Sequence, residues 1–249
     1  MPDFAALSPQ FGLFWVYLSA SPLLGLTLTL CAYLAAQWIF VRCKDATLAN
    51  PVAMSIALVV AVLWLSGMSY ERYFAGAQFV HFLLGPATVA LALPLVRQLP
   101  RLKRAWAPLS AALLAGSVTA IVSAVAIAML LGATPELAAT LGPKSATSPI
   151  AMAVAERLGG IPALAAALVI GTGIFGAIAG RYLFDLLRIR SDMARGFALG
   201  LASHGIGTAR AFHYSAEMGA FAGLAMGLNG ALTALLAPWL VPLVMGWMG

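Results

Sequence analysis

The chain has 249 residues, of which 62% are hydrophobic and only 9% are charged, and its formal net charge is +6. A soluble domain carries roughly 25% charged residues, so most helices of this chain would have no polar face to turn toward water. Ten of the fourteen lysine and arginine residues lie in three short connections, 42–44, 97–104 and 181–195. Such clusters are typical of the cytoplasmic ends of membrane helices. The composition therefore excludes a soluble globular domain and a nucleic-acid-binding protein, and it predicts an all-helical polytopic membrane protein.

The first twenty residues form a segment of their own. Residues 11–20, FGLFWVYLSA, are aromatic-rich, which is typical of the membrane interface. The preceding residues lack the basic stretch of a cleaved signal peptide. Ser21 and Pro22 then suit a helix start, because a capping residue precedes a first-turn proline. We predict an interfacial segment at 1–20 and a single membrane domain at 21–249.

Apolar runs of roughly twenty residues, the length that crosses the hydrocarbon core as a helix, recur along this domain. Clear spans are predicted at 22–41, 52–67, 108–132 and 161–187. The region 70–99 is apolar but interrupted, and 218–248 is either one long kinked helix or two short ones. We expect about five full transmembrane helices together with interrupted or re-entrant segments.

The stretch 140–152, TLGPKSATSPIAM, breaks the helical pattern. Pro143 and Pro149 end a helix, and a helix that begins at Pro149 with Ser148 as its N-cap would direct its positive end at the break. The pattern predicts a site for a small anion. The alternative is that the lysine extends to the interface and the prolines only bound a loop. The candidate binding residues are Lys144, Ser145, Thr147 and Ser148.

The basic connections predict a topology for this break. If all three lie in the cytoplasm, the segment 135–159 either enters and leaves the membrane from the outer face or forms part of an extra pair of half-helices. A re-entrant or broken segment is the simplest fit. A related stretch, LLGPATVALALPL at 83–95, shares Leu-Gly-Pro, a threonine and a second proline with 140–152. Paired interrupted segments point to a transport site at an internal repeat. We therefore predict an inverted repeat with halves of about 21–107 and 108–249, breaks that approach each other, and Thr88 as a further binding residue.

A second polar group lies at 202–211, ASHGIGTARA, where glycines make a continuous helix doubtful. Ionisable residues in a membrane region usually face a cavity or a partner. His204 can titrate near neutral pH and carry a coupled proton, or it can be a neutral histidine bonded to a backbone carbonyl. Arg210 can bind a carboxylate or pair with Glu217. The candidates, predicted to line one cavity with the first group, are Ser203, His204, Thr208 and Arg210.

The sequence has no pattern typical of a metal site or of an enzyme active site. The histidines, cysteines and acidic residues lack the spacing of a metal site, and no nucleophile has a base and an orienting group at suitable spacing. We therefore expect no metal, no cofactor and no enzymatic activity. Asn229 is a weaker site candidate, and Asp185 is expected to form an ordinary salt bridge with Arg181, four positions back.

The two polar groups also carry a family resemblance. The chain resembles the LrgB/CidB/YohK family of integral membrane proteins. The resemblance is carried by residues 143–180 and 195–211. Upstream, SPLLGLTLTLCAY, the Asn50-Pro51 helix start and LLGPATVALALPL fit the same family. The resemblance covers the chain from residue 20 onward. It implies one LrgB-like domain in a bacterial cytoplasmic membrane.

The resemblance implies two functions. Plastid relatives that fuse LrgA-like and LrgB-like parts carry glycolate and glycerate, and some bacterial members are linked to pyruvate uptake. This implies a carrier for small monocarboxylates, which could be proton-coupled through His204. The alternative is an antiholin-like regulator of murein hydrolase export or cell lysis. The expected partners are a small organic anion, the lipid bilayer, an LrgA-like small membrane protein and a second copy of the chain in a homo-oligomer.

Overall fold

The computed structural model describes residues 22–43, 49–83, 86, 89–90 and 92–248, and every regular element in this part of the chain is a helix. The helices are α1 Pro22–Arg42, α2 Pro51–Ser66, α3 Tyr70–Phe82, α4 Ala92–Arg97, α5 Leu99–Arg104, α6 Trp106–Leu130, α7 Pro135–Leu141, α8 Ser148–Arg157, α9 Pro162–Leu186, α10 Asp192–Tyr214 and α11 Ala216–Met248. The predicted all-helical class is confirmed.

Four of these helices are long and apolar enough to cross a membrane: α1, α6, α9 and α11. The shorter apolar helix α2 has 16 residues. The region predicted at 218–248 as one helix or two is a single helix of 33 residues with Pro238 and Pro242 inside it. Large apolar side chains such as Trp64 and Trp247 are 80% and 89% exposed, as expected for surfaces that contact lipid rather than water.

The chain divides into two compact units between Ala90 and Leu91. In the first unit, α1 packs against α2 and α3. A hydrogen bond of 2.8 Å joins the hydroxyls of Thr29 and Tyr73. Thr88 lies outside the described residues, as do Leu84, Gly85, Ala87 and Leu91. The approach of the two breaks and the boundary of the inverted repeat therefore stay predictions.

In the second unit, α7 and α8 form a re-entrant hairpin, residues 135–157, which we call hairpin 1. Its tip is the turn segment 142–147. Helix α7 packs near the C-terminal end of α11, where Ala138 and Ala139 join one hydrophobic cluster with Val241. The tip reaches the middle of α11, where Asn229 bonds the carbonyl of Ser145, and α8 then returns along α11. The hairpin therefore enters and leaves at the same end of α11.

Helix α10 is also a hairpin, residues 192–214, which we call hairpin 2. A straight helix of 23 residues would be about 34 Å long. The Ser215 hydroxyl nevertheless donates a hydrogen bond of 2.6 Å to the Asp192 carboxylate, so the two ends of α10 are adjacent. The chain reverses at His204, whose φ of 42° and ψ of −132° are not helical. The doubt about a continuous helix at the glycines is confirmed.

Hairpin 2 lies along the N-terminal part of α11. Gly196 and Gly200 in its first arm contact the backbone of Met218 and Ala222, and Phe212 in its second arm packs on Gly219. The two hairpins therefore approach α11 from opposite ends. Glu217 forms an ion pair with Arg101 at the same end of the unit, so two of the basic connections share one end. Which end faces the cytoplasm stays a prediction.

We expect Gly200→Ala to destabilise the second unit. The new Cβ atom would overlap the carbonyl oxygen of Ala222, and extra volume in a packed contact costs about 1–3 kcal/mol. Thermal unfolding of the purified protein in detergent measures the effect. The matched control is Gly227→Ala, since a Cβ atom at Gly227 has no neighbour within 4 Å. Equal unfolding temperatures for the two variants would contradict the packing of hairpin 2 on α11.

Candidate functional site

The tips of the two hairpins meet at Asn229, which is 1% exposed in the middle of α11. Its amide nitrogen donates to the carbonyl of Ser145 in hairpin 1 and to the carbonyl of Leu201 in hairpin 2, each at 3.0 Å. Its amide oxygen accepts a hydrogen bond of 2.6 Å from the Ser117 hydroxyl of α6. One side chain thus satisfies backbone groups at both breaks, where the helical hydrogen-bonding pattern is interrupted.

At the tip of hairpin 1, the predicted candidates lie within three positions of Ser145, whose carbonyl accepts a hydrogen bond from this asparagine. Ser145 is buried, and Lys144 is half-buried with its Nζ 3.5 Å from the Ser145 hydroxyl. The break is confirmed, but the predicted N-cap is wrong by one residue. Helix α8 begins at Ser148, and Thr147 is the N-cap, without a hydrogen bond from its side chain to the helix. The backbone of Thr147 is extended, with φ of −75° and ψ of 153°, so the helical conformation begins at the following residue.

At the tip of hairpin 2, the predicted candidates contact other helices. The His204 ring packs on Gly173 of α9, and its Nε2 is 2.8 Å from the carbonyl oxygen of Val169. Ser203 is 1% exposed and packs against Gly176 of the same helix. The geometry of His204 is that of the alternative interpretation, a buried histidine bonded to a backbone carbonyl. Its role in proton coupling stays a prediction.

The remaining two candidates lie farther along the second arm of hairpin 2. The Thr208 hydroxyl donates to the carbonyl of His204 at 2.8 Å, which stabilises the arm just after the reversal. Arg210 is buried, donates to the Tyr214 hydroxyl at 3.1 Å, and lies 4.9 Å above the Tyr214 ring. Glu217, the other proposed partner of Arg210, is paired with Arg101.

The structure thus brings together the two tips, with Lys144 and Ser145 close to the junction. It directs the side chains of Ser203 and His204 toward α9 and that of Arg210 toward Tyr214. Asn229, the weaker candidate in the sequence, is the residue that bonds both tips. Its signal was a lone amide in an apolar run, and polar side chains in membrane helices commonly bond between helices. Ser117 had no signal, because single serines are frequent in such helices.

The junction also places two helix N-termini close together. Helix α8 and the second arm of hairpin 2 both begin at a tip, so the partial positive charge at each helix start is directed at the junction. Lys144 adds a full positive charge beside it. Interrupted membrane helices arranged in this way hold anionic groups at their N-terminal ends. The arrangement is therefore suited to a small anion.

Comparisons of the sequence with known proteins agree on one family. The model of the LrgB-like family matches residues 29–243. The protein YwbG of Bacillus subtilis is 36% identical over 219 residues, which cover 88% of this chain and 97% of that protein. A protein of Haemophilus influenzae is 35% identical over 195 residues, covering 78% and 84%. The antiholin-like protein LrgB of Bacillus subtilis is 28% identical over 226 residues, covering 91% and 98%. No solved structure matches.

Proposed function

We propose that this chain, which belongs to the LrgB-like family, is a multi-pass carrier for small monocarboxylates such as glycolate, glycerate and pyruvate in a bacterial cytoplasmic membrane. The observation that carries the proposal is the meeting of two re-entrant tips at Asn229. Backbone that is not helical is tolerated at membrane depth only where protein surrounds it or water reaches it. Paired interrupted segments of this kind are typical of the substrate sites of transporters.

The charges at the junction favour an anionic solute. Lys144 is the titratable cation beside the tip of hairpin 1, and two helix N-termini are directed at the same place. A charge held away from water is costly unless it is paired. An anion that binds there would form charge-assisted hydrogen bonds with Lys144 and Ser145. The two hairpins enter from opposite ends of α11. A rocking or elevator motion can therefore expose the junction first to one side of the membrane and then to the other.

A second candidate function comes from the relatives. Several are named antiholin-like protein LrgB, and the names favour an antiholin-like regulator that acts with an LrgA-like partner on murein hydrolase export or cell lysis. These names support the second candidate better than the first. The hairpin junction supports the carrier, since a regulator that acts through another protein's pore has no need of a buried anion site between two tips.

Uptake into proteoliposomes separates the two candidates. We expect the purified protein to accumulate labelled glycolate, glycerate or pyruvate saturably, with competition by unlabelled monocarboxylate, because a carrier has a finite number of sites. Protein-free liposomes are the background control. A second control is an entrapped dye: its retention would show that the protein does not form a nonspecific pore in the liposome membrane. A reconstituted, correctly folded protein that moves none of the three acids would overturn the carrier in favour of the regulator.

A further inference from the structure

A polar cavity of about 410 Å³ lies at the base of hairpin 2, away from the junction. It is bounded by α9, the two ends of hairpin 2 and the start of α11. Its charged lining residues are Arg181, Asp185, Asp192 and Arg195, and its lining also includes the buried residues Ala177 and Leu199. The basic connection 188–195 borders the same end. The lining therefore holds two positive and two negative groups, and the neighbouring connection adds two further arginines, Arg188 and Arg190.

One side of the cavity lies near the tip of hairpin 2. Ala177 follows Gly176, the residue on which Ser203 packs, and Gly173 contacts the His204 ring. Ala177 is four positions after Gly173 in α9, a rise of about 6 Å along the helix. The Leu199 side chain, which also lines the cavity, packs against Gly180 of α9. A solute in the cavity is thus about one helical turn from the tip of hairpin 2.

Three of the four charged groups are already held in place. The Asp192 carboxylate accepts a hydrogen bond from Ser215. Arg195 bonds the Asp185 carboxylate at 2.8 Å, donates to the carbonyl of Ile189 and lies 5.7 Å above the Phe184 ring. The side chain of Arg195 is only 25% exposed. These contacts fix the base of hairpin 2.

Arg181 differs from these groups. Its side chain is 54% exposed, and its Nε is 3.9 Å from the Asp185 carboxylate, at the limit of an ion pair. The predicted salt bridge to Asp185 is present, but Asp185 is held more closely by Arg195. An exposed pair at this distance is worth little, so the Arg181 guanidinium can turn to a carboxylate that arrives in the cavity.

We infer that this cavity is a second, low-affinity site for small carboxylate anions, a vestibule in which Arg181 captures the anion before it reaches the junction. The inference rests on the proposed carrier function. A positive group in a cleft raises the local concentration of an anionic substrate and its association rate. Loss of the group therefore raises KM on one face of the membrane, while the maximal rate, which depends on the junction and the hairpins, is unchanged.

The test compares Arg181→Gln with Arg190→Gln, an exposed arginine of the adjoining connection that does not line the cavity. Initial uptake of labelled glycolate is measured in membrane vesicles of each orientation, with vesicles lacking the protein as background. Arg181→Gln should raise KM about three- to tenfold at low ionic strength in one orientation only, and high salt should reduce the difference, because salt screens exposed charges. Arg190→Gln and Arg181→Lys should stay close to the parent.

The outcomes are distinguishable. Parent vesicles that take up no monocarboxylate would overturn the carrier function, and the vestibule with it. Normal uptake with an unchanged KM in Arg181→Gln would overturn the vestibule alone. An equal rise of KM in Arg181→Gln and Arg190→Gln would also overturn it, since the effect would then come from general surface charge.

Discussion

Replacement of Lys144 by alanine should weaken the binding of a small monocarboxylate by one to two orders of magnitude. Lys144 is half-buried at the tip of hairpin 1, with its Nζ 3.5 Å from the Ser145 hydroxyl. A hydrogen bond to a charged group contributes about 1.5–3 kcal/mol, which corresponds to roughly a 10- to 150-fold change in Kd. Isothermal titration of the purified protein with glycolate measures the loss.

The control for this prediction is Lys103→Ala. Lys103 is an exposed residue at the end of α5, so its replacement removes the same charge without changing the junction. The unfolding temperature of Lys144→Ala should remain near that of the parent, because the side chain is not part of a hydrophobic cluster. If Lys144→Ala binds glycolate like the parent, the anion site is not at the tip of hairpin 1.

Replacement of Asn229 by leucine should cause a large loss of stability together with loss of transport. The substitution leaves the carbonyls of Ser145 and Leu201 and the hydroxyl of Ser117 without their amide partner. Each buried group left unpaired costs about 1–3 kcal/mol, although hydrogen bonds between membrane helices average nearer 0.6 kcal/mol. Thermal unfolding in detergent and limited proteolysis at the two tips measure the effect.

Ser117→Ala is the matched control, because it removes one hydrogen bond of the junction and leaves both tip carbonyls paired. Its unfolding temperature should lie between those of the parent and Asn229→Leu. Equal unfolding temperatures for Ser117→Ala and Asn229→Leu would show that the amide does not hold the tips. In that case the junction would depend on packing alone.

Much of the fold follows from local properties of the chain. The predicted spans 22–41, 52–67, 108–132 and 161–187 agree with α1, α2, α6 and α9 to within two residues. The length of an apolar run determines the length of the helix that can cross hydrocarbon. Prolines mark the helix starts because the amide hydrogens of the first turn have no partner within the helix, so proline loses nothing there by lacking one. The break at 140–152 was predictable for the related reason that two prolines cannot continue a helix.

The reversal at His204 was only partly predictable. Glycines at 205 and 207 indicate that a continuous helix is doubtful, but they do not determine the direction of the chain after the break. Both arms of hairpin 2 have small and apolar residues, so a kinked span and a hairpin have the same local pattern. The reversal depends on contacts such as the bond between Ser215 and Asp192, which are 23 residues apart.

The sequence by itself determined the membrane class, three of the four long spans (α1, α6 and α9), the break at 140–152 and the polar character of the two tips. The tertiary structure decided that both tips meet at Asn229 and that His204 bonds the carbonyl of Val169. The physical reason is the range of the interactions. Helix length and helix breaks depend on neighbouring residues, whereas the partners of Asn229 are 84 and 112 positions away for Ser145 and Ser117. Only the packing of α6 and both hairpins around α11 brings such partners within hydrogen-bond distance.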